Sequence, residues 1–566
     1  MMELIIHNLA PIMFVGLFVF LLSGNPVSFS LAACGLFFGW LGVAVGVPGM
    51  EQLLNALPLR IIGILKNETL LAIPFFTLMG LVLERSRLAE DLLNTIGQVF
   101  GPVRGGLVYA VIIVGALLAA TTGVVAASVI SMGLISLPIM LRYGCDRRLV
   151  TGSIAAAGTL AQIIPPSLVL IVIADQLGRS VGDLFLGAFI PGFLLTGMYC
   201  LWVFCISLFK PESAPALPPE ARTLKEEDGG SGHLSLLVLL GIATACAQLY
   251  AQTRAESMPL DELIVTSMGV AMAVALVLTL CNRVLKLGLV SRLAERVTFV
   301  LIPPLALIFL VLGTIFLGWA TPTEGGAMGA MGALIMAASR KRLNLRMLIQ
   351  AMESTLRLSS FVMFILLGAT VFSLTFQGVD GTMWVEELLS DLPGGQIGFL
   401  VFVNLTVFVL GFFLDFFELA FIIIPLLAPV AESLGINLVW FGILLAINMQ
   451  TSFLTPPIGF ALFYMRSVVP ENSYVDAVTK KVIEPITTTQ IYRGAVPFIV
   501  IQVVMIALVM SFPELVTGNL DKKVEVDLDT IELVAEPIDY GGESDEQKDE
   551  AFDPTEFLLQ EIQEDQ

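Results

Sequence analysis

Apolar runs of membrane-crossing length recur from near the start of this chain to residue 512, and they limit its fold more than any other feature. A helix needs about 20 apolar residues to cross a bilayer. Runs that meet or approach this length lie at 4–23, 27–47, 67–84, 104–141, 148–177, 183–209, 234–252, 263–282, 297–319, 321–338, 357–377, 397–433, 438–468 and 495–512. Of the 566 residues, 57% are hydrophobic and 14% charged, against about 25% charged in soluble domains. The pattern predicts an all-α polytopic membrane protein. The first run has no basic leader and no small-residue cleavage site, so it reads as a first span and not as a removed signal peptide.

Two runs, 104–141 and 397–433, are too long for one span and too short for two with a loop. Each carries polar residues at its middle: Thr121-Thr122-Gly123 in one, Asp415 and Glu418 in the other. This predicts re-entrant helical hairpins whose tips stop inside the membrane, where irregular backbone survives only if it is buried or lines a cavity. Two further runs, 148–177 and 438–468, are interrupted by Pro165-Pro166 and Pro456-Pro457. Proline removes a backbone donor and frees carbonyls, so both are expected to be broken helices.

Laid on itself, the chain repeats. Ala89-Glu-Asp-Leu-Leu-Asn94 matches Val385-Glu-Glu-Leu-Leu-Ser390 at an offset of 296, with Phe76 on Phe372 and Gly115 on Gly411. Gly144 matches Gly435, and the two Pro-Pro pairs match each other, at an offset of 291. Each unit crosses the membrane an odd number of times, so the second copy is expected upside down. Inverted repeats with broken helices mark secondary transporters, with the site at the midplane between them. The organisation expected is scaffold spans in 1–66, a first repeat in 67–209, a linker with two inserted spans in 210–296, scaffold spans with an amphipathic connector in 297–356, and a second repeat in 357–512. An acidic tail follows in 513–566.

Charge orients these parts. Arg142, Arg147, Arg148, Lys210, Arg283, Lys286, Arg292, Arg296 and the run Arg340 to Arg346 fall on one side, while the loop 378–396 on the other side has four acids and no basic residue. That matches the positive-inside rule, and it puts both termini outside. The tail from Pro513 holds eighteen acidic residues and three lysines, and is read as weakly ordered. A chain this acidic, with no basic patch, argues against nucleic-acid binding. Six cysteines form no CxxC pair and read as inert thiols.

The candidate site follows from the breaks. Thr121, Thr122 and Gly123 at the first tip, with Gly158, Thr159, Pro165 and Ser167 in the first broken helix, offer carbonyl and hydroxyl oxygens. Neutral oxygens at broken helices suit a small hard cation such as Na⁺. The alternative is a kinked helix whose threonines bond back to their own turn. The second set matches it: Asp415 and Glu418 at the tip, then Asn448, Gln450, Thr451, Ser452, Thr455 and Pro456-Pro457. An ionisable group deep in a membrane segment defaults to a functional role, and Asp415 suits either Na⁺ or a proton. The alternative there is a carboxylate capping a helix N-terminus. Thr321 to Gly326 reads as a capping turn with Glu324 at a helix start. With no GxxxxGK[ST] motif, and only His7 and His233 as histidines, an ATP-driven pump and a histidine metal site are excluded. Secondary transport and intramembrane hydrolysis remain, and the repeat favours transport.

Four separated motifs now stand in order: Thr121-Thr-Gly-Val-Val-Ala-Ala-Ser-Val-Ile-Ser-Met-Gly-Leu-Ile-Ser-Leu-Pro138, Gly158-Thr-Leu-Ala-Gln-Ile-Ile-Pro-Pro-Ser167, Ala320-Thr-Pro-Thr-Glu324 and Gln450-Thr-Ser-Phe-Leu-Thr-Pro-Pro-Ile-Gly-Phe-Ala-Leu-Phe-Tyr464. Together they resemble the large membrane subunit of TRAP (tripartite ATP-independent periplasmic) transporters, in the branch often labelled mannitol/chloroaromatic. The resemblance implies an elevator-type, Na⁺-driven importer in the bacterial inner membrane. It also implies a periplasmic substrate-binding protein that delivers a small organic acid and a separate small four-span membrane subunit, with membrane lipid around the spans. It places a first Na⁺ site on Thr121, Thr122, Gly123, Gly158, Thr159 and Pro165. A second falls on Asp415, Glu418, Asn448, Thr451, Thr455 and Pro456. Substrate is expected between the tips, near Ser167 and Asn448. Na⁺ is the coupling ion, and no other cofactor is implied. The insert at 210–282 and the acidic tail depart from the usual pattern. A proton-coupled or stand-alone carboxylate transporter of related elevator fold is the alternative.

Overall fold

The computed structural model describes residues 8–520 except 23, 225–231, 256–257, 259, 287, 391, 477 and 519. The expectation for the tail beyond Leu520 lies outside those residues, as do His7 and the start of the first apolar run. Among the described residues, nine helices are long and apolar enough to cross a membrane, or up to eleven if each bent pair is one span.

A scaffold forms from Leu9–Leu22, Val27–Val45, Ala72–Arg85, Arg292–Phe316, Pro322–Ser339 and Leu345–Gly378. Its tightest seam joins Val27–Val45 to Leu345–Gly378. Small residues make that seam possible, because helices in lipid associate through close backbone approach. Gly368 lies on the Ser28 carbonyl, Gly35 lies against the Val371 carbonyl, and the Thr375 hydroxyl donates to the Gly35 carbonyl at 2.9 Å. The inserted helices His233–Arg254 and Leu260–Leu285 pack on each other and on Arg292–Phe316. The Thr321 turn is a reciprocal capping box: Thr321 N donates to Glu324 Oε2 at 2.8 Å, and Glu324 N to Thr321 Oγ1 at 3.3 Å.

Two segments differ from the sequence expectation. The amphipathic connector and the span after it are one continuous helix, Leu345–Gly378, of 34 residues. Asn344 caps it, and no proline and no glycine before Gly368 interrupts it. The linker expected after Lys210 begins as a strap docked on the first repeat. Gly105 N donates to Ala214 O at 2.8 Å, Asp146 N to Ser213 O at 2.9 Å, and Leu217 N to Gly101 O at 2.9 Å. Its Ala214 and Leu217 are buried, and buried backbone must find such partners.

A short β-hairpin, Tyr474–Val475 with Val482–Ile483, is a further element the sequence did not suggest. Its Asp476 accepts from Thr479 N at 2.7 Å, from Thr479 Oγ1 at 2.8 Å and from Arg142 Nε at 3.0 Å. These donors, the Thr479 amide first, lower its pKa to about 2. A carboxylate with a depressed folded pKa stabilises above its ordinary range, and that contribution fades as pH falls through the folded value. Asp476→Asn is therefore expected to melt below the wild type at pH 6, with the gap closing between about pH 4 and pH 2. Melting curves of both proteins across that range check it, and a gap independent of pH would contradict it.

Candidate functional site

The first hairpin is Gly106–Thr122 and Val125–Arg142, reversing at Gly123, whose φ of +61° suits a residue without a side chain. The second is Gly395–Leu410 and Phe416–Ser433. The first broken helix runs Arg147–Thr159, a 3₁₀ turn Leu160–Gln162, then Leu168–Leu177. The second runs Leu438–Leu454, then Phe460–Val468. The Pro165-Pro166 and Pro456-Pro457 peptides are both cis.

Both broken helices start in the same way. Asp146 Oδ1 caps Arg148 N and Leu149 N at 2.8 and 3.3 Å. Asn437 Oδ1 caps Val439 N and Trp440 N at 2.9 and 3.1 Å. Gly144 and Gly435, two residues earlier, have φ of +82° and +72°. The repeats then exchange halves. Leu168–Leu177 packs on Phe416–Ser433, and Phe460–Val468 packs on Val125–Arg142. Ion pairs repeat the exchange at the hairpin bases: Arg142 meets Asp476 at 3.0 Å, and Glu432 meets Arg179 at 3.1 Å. Each broken helix thus starts beside its own hairpin's base and ends beside the other's. Its two halves are long enough to cross a bilayer, so the hairpins enter from opposite faces and the repeats are inverted.

Residues related by the repeat also meet. Gln450 Nε2 donates to Thr159 Oγ1 at 3.3 Å, and the two positions match at the 291-residue offset. A position can touch its own counterpart only on the pseudo-two-fold axis, so the axis passes between the two broken helices just before their breaks.

The first predicted set gathers here. Gly123 lies against Leu168, at the start of the helix after the break, and Gly158 lies on Val129 of the hairpin. Thr121 Oγ1 donates to Leu118 O at 2.9 Å and Thr159 Oγ1 to Ala156 O at 2.8 Å. The back-bonding expected of a kinked helix is therefore present, yet a hydroxyl that donates its proton keeps its lone pairs. Nothing is described of the Thr122 side chain. Ser167 Oγ donates across the break to Gln162 O at 2.9 Å.

The second set centres on Asp415, which caps Phe416–Ser433. Its Oδ1 accepts from Phe417 N at 2.7 Å and Glu418 N at 3.1 Å, while Glu418 Oε2 accepts from Asp415 N at 2.9 Å. The capping reading holds for Asp415 Oδ1; its Oδ2 makes no hydrogen bond among the described residues. Two carboxylates at one helix N-terminus are favoured by the helix dipole and concentrate negative charge at the tip. Thr451 Oγ1 donates to Ile447 O at 2.8 Å and Thr455 Oγ1 to Thr451 O at 2.7 Å. Gly411, before the tip, lies on the Ser452 side chain. Asn448 Nδ2 donates to Asn404 O at 2.6 Å.

Two residues had no part in the sequence expectation. Gln162 is fully buried in the first break, and neither amide atom has a partner among the described residues. Asn404 Oδ1, beside Asn448, is also unpartnered among the described residues, as is Gln450 Oε1. Unpaired buried amides are costly and mark places where a ligand or water completes the bonding. A polar side chain three residues before the Pro-Pro pair was the available signal for Gln162.

Inverted hairpins and broken helices around one axis form the arrangement of a membrane transporter. The family described as Tripartite ATP-independent periplasmic transporter, DctM component, matches residues 14–515, and the chain belongs to it. It is therefore a multi-pass inner-membrane protein, the large permease component of a tripartite system. A C4-dicarboxylate TRAP transporter large permease protein of Pseudomonas aeruginosa is 26% identical over 81% of this chain and 88% of its own length. A sialic acid TRAP transporter large permease protein of Vibrio cholerae is 24% identical over 87% of this chain and 94% of its own length. A solved structure, the YdaH transporter of Alcanivorax borkumensis, aligns over 82% of this chain and 89% of that one at 15% identity and a TM-score of 0.47, too distant to carry an argument.

Proposed function

We propose that this chain imports a small organic acid, coupled to Na⁺, with substrate handed over by a periplasmic binding protein and a small four-span subunit bracing the scaffold. The observation that carries the proposal is the pair of hairpin tips set against two broken helices whose axis runs through Thr159 and Gln450. One sodium ion takes oxygens from Thr121, Thr122, Gly123, Gly158, Thr159 and Pro165. A second takes them from Asp415, Glu418, Asn448, Thr451, Thr455 and Pro456. Binding closes each tip on its break. The carboxylate lies between the tips beside Ser167 and Asn448, where the unpaired Gln162 amide supplies a donor. The hairpins and broken helices then move as one body against the scaffold. At 100 mV, each coupled charge supplies about 2.3 kcal/mol of uphill import.

A second reading has its own observation. The open Oδ2 of Asp415 beside Glu418 also suits a proton carrier in a stand-alone anion transporter. Reconstitution separates the two. The chain with its small subunit is placed in proteoliposomes and offered labelled C4-dicarboxylates, 2-oxo acids and sialic acid, each with its binding protein. Accumulation that requires both an inward Na⁺ gradient and the binding protein supports the proposal. Accumulation driven by a proton gradient alone, or without the binding protein, contradicts it.

A further inference from the structure

We infer that the scaffold holds an anionic phospholipid at its cytoplasmic face, in a recess where Arg85, Arg87, Lys341, Arg342 and Arg346 converge. The recess is a cavity of about 670 Å³ between two helix turns, the one at Ser86-Arg87 and the one at Lys341 to Asn344. Glu90 and Asp91 are the acids in its lining. Asp91 is already engaged, by Arg340 at 3.0 Å and Arg342 at 2.8 Å. Arg342 also donates to the carbonyls of Ser86 and Arg87 at 3.0 and 3.1 Å, which ties the two turns together. Arg85 is held by Gln350 at 2.9 Å and Ser354 at 3.1 Å. These bonds build a fixed frame. Arg87, Lys341 and Arg346 stand exposed on it, with no ion pair among the described residues. Arg87 and Lys341 both adopt left-handed backbone, each with φ of +57°, at the two turns that form the rim.

The apolar surface next to the recess decides what occupies it. Leu345, Ile349, Met352 and Leu356 follow it down Leu345–Gly378 at spacings of four, three and four, and are 72%, 54%, 55% and 67% exposed. Such spacing keeps them on one face of the helix. Three free cations above an apolar stripe match a phosphate above an acyl chain, and basic pockets between cytoplasmic helix ends bind such headgroups. Free phosphate would use the cations and leave the stripe bare. The last described helical turn, Glu514–Thr517, lies on the other side of the scaffold. Val516 packs against Gly187, close in sequence to Arg179 and so to the base of the second hairpin, which enters from the opposite face.

The test compares three full-length proteins purified in zwitterionic detergent: wild type, Arg87→Gln/Lys341→Gln/Arg346→Gln, and a control, Lys210→Gln/Lys286→Gln/Arg296→Gln, that removes three charges elsewhere on the basic face. Each is titrated with phosphatidylglycerol, phosphatidylcholine and inorganic phosphate, and bound lipid is read by native mass spectrometry beside the melting temperature. Wild type and control are expected to retain phosphatidylglycerol over phosphatidylcholine. The recess variant is expected to bind it roughly a hundredfold more weakly, at about fivefold per neutralised charge. Equal binding by the recess variant and the control would overturn the inference. So would stabilisation by inorganic phosphate that matches that of the lipid.

Discussion

Asp415→Asn is expected to raise the Na⁺ concentration for half-maximal uptake by roughly tenfold or more, while the protein stays folded. The prediction rests on which oxygen does what. Oδ1 caps the helix through Phe417 N and Glu418 N, and an asparagine carbonyl oxygen serves equally well as a cap. The other oxygen, which the fold does not use, becomes a neutral amide that a cation does not seek. Asp415→Ala removes the cap as well, so it is expected to lose stability by about 1 kcal/mol in addition to sodium affinity. Uptake measured against Na⁺ concentration, beside melting curves of both variants, separates the roles. If Asp415→Asn keeps wild-type sodium dependence, the carboxylate is structural alone.

Gly494→Leu is expected to destabilise the fold by about 3 kcal/mol or more, which shows as loss of monodisperse protein. Where Arg147–Thr159 crosses Thr488–Ser511, Gly152 lies on the Gly494 carbonyl, and Gly494 lies on the Arg148 carbonyl. A leucine side chain there meets backbone, which cannot rotate away as a side chain can. The crossing fixes the first broken helix, so strain here reaches the Thr159–Gln450 contact. Gly197→Leu is the control, because nothing lies within 4 Å of a Cβ at Gly197. Equal expression and melting of the two variants would show that the crossing yields.

Membrane chemistry explains why so much could be read from the chain. Apolar length gives spans, and a polar residue or proline inside a span has few explanations, so the hairpins and broken helices were legible. The repeat was legible because Gly144 and Gly435 and the proline pairs serve backbone geometry, which permits few substitutes. The exchange of halves between repeats was not legible. It depends on which apolar faces meet, as at Gly133 against Val468, and one apolar face resembles another in sequence. The strap at Ala214 and Leu217 was missed because its partners are backbone atoms of loops distant in the chain. Gln162 was missed because a lone glutamine reads as ordinary until its burial is known. Leu345–Gly378 was divided by its change from amphipathic to apolar, a change of surroundings that does not interrupt the helix.

The central claim, that sodium binds at the two tips, is tested most directly by melting the purified protein in NaCl and in choline chloride at equal ionic strength, with Asp415→Asn alongside. No substrate needs to be known. A ligand that binds only the folded state stabilises it, by about 2.7 kcal/mol at a hundred times its dissociation constant. The account predicts a sodium-specific rise in melting temperature for the wild type that is reduced or lost in Asp415→Asn. No sodium effect in well-folded wild-type protein, or a rise of equal size in the variant, would contradict it.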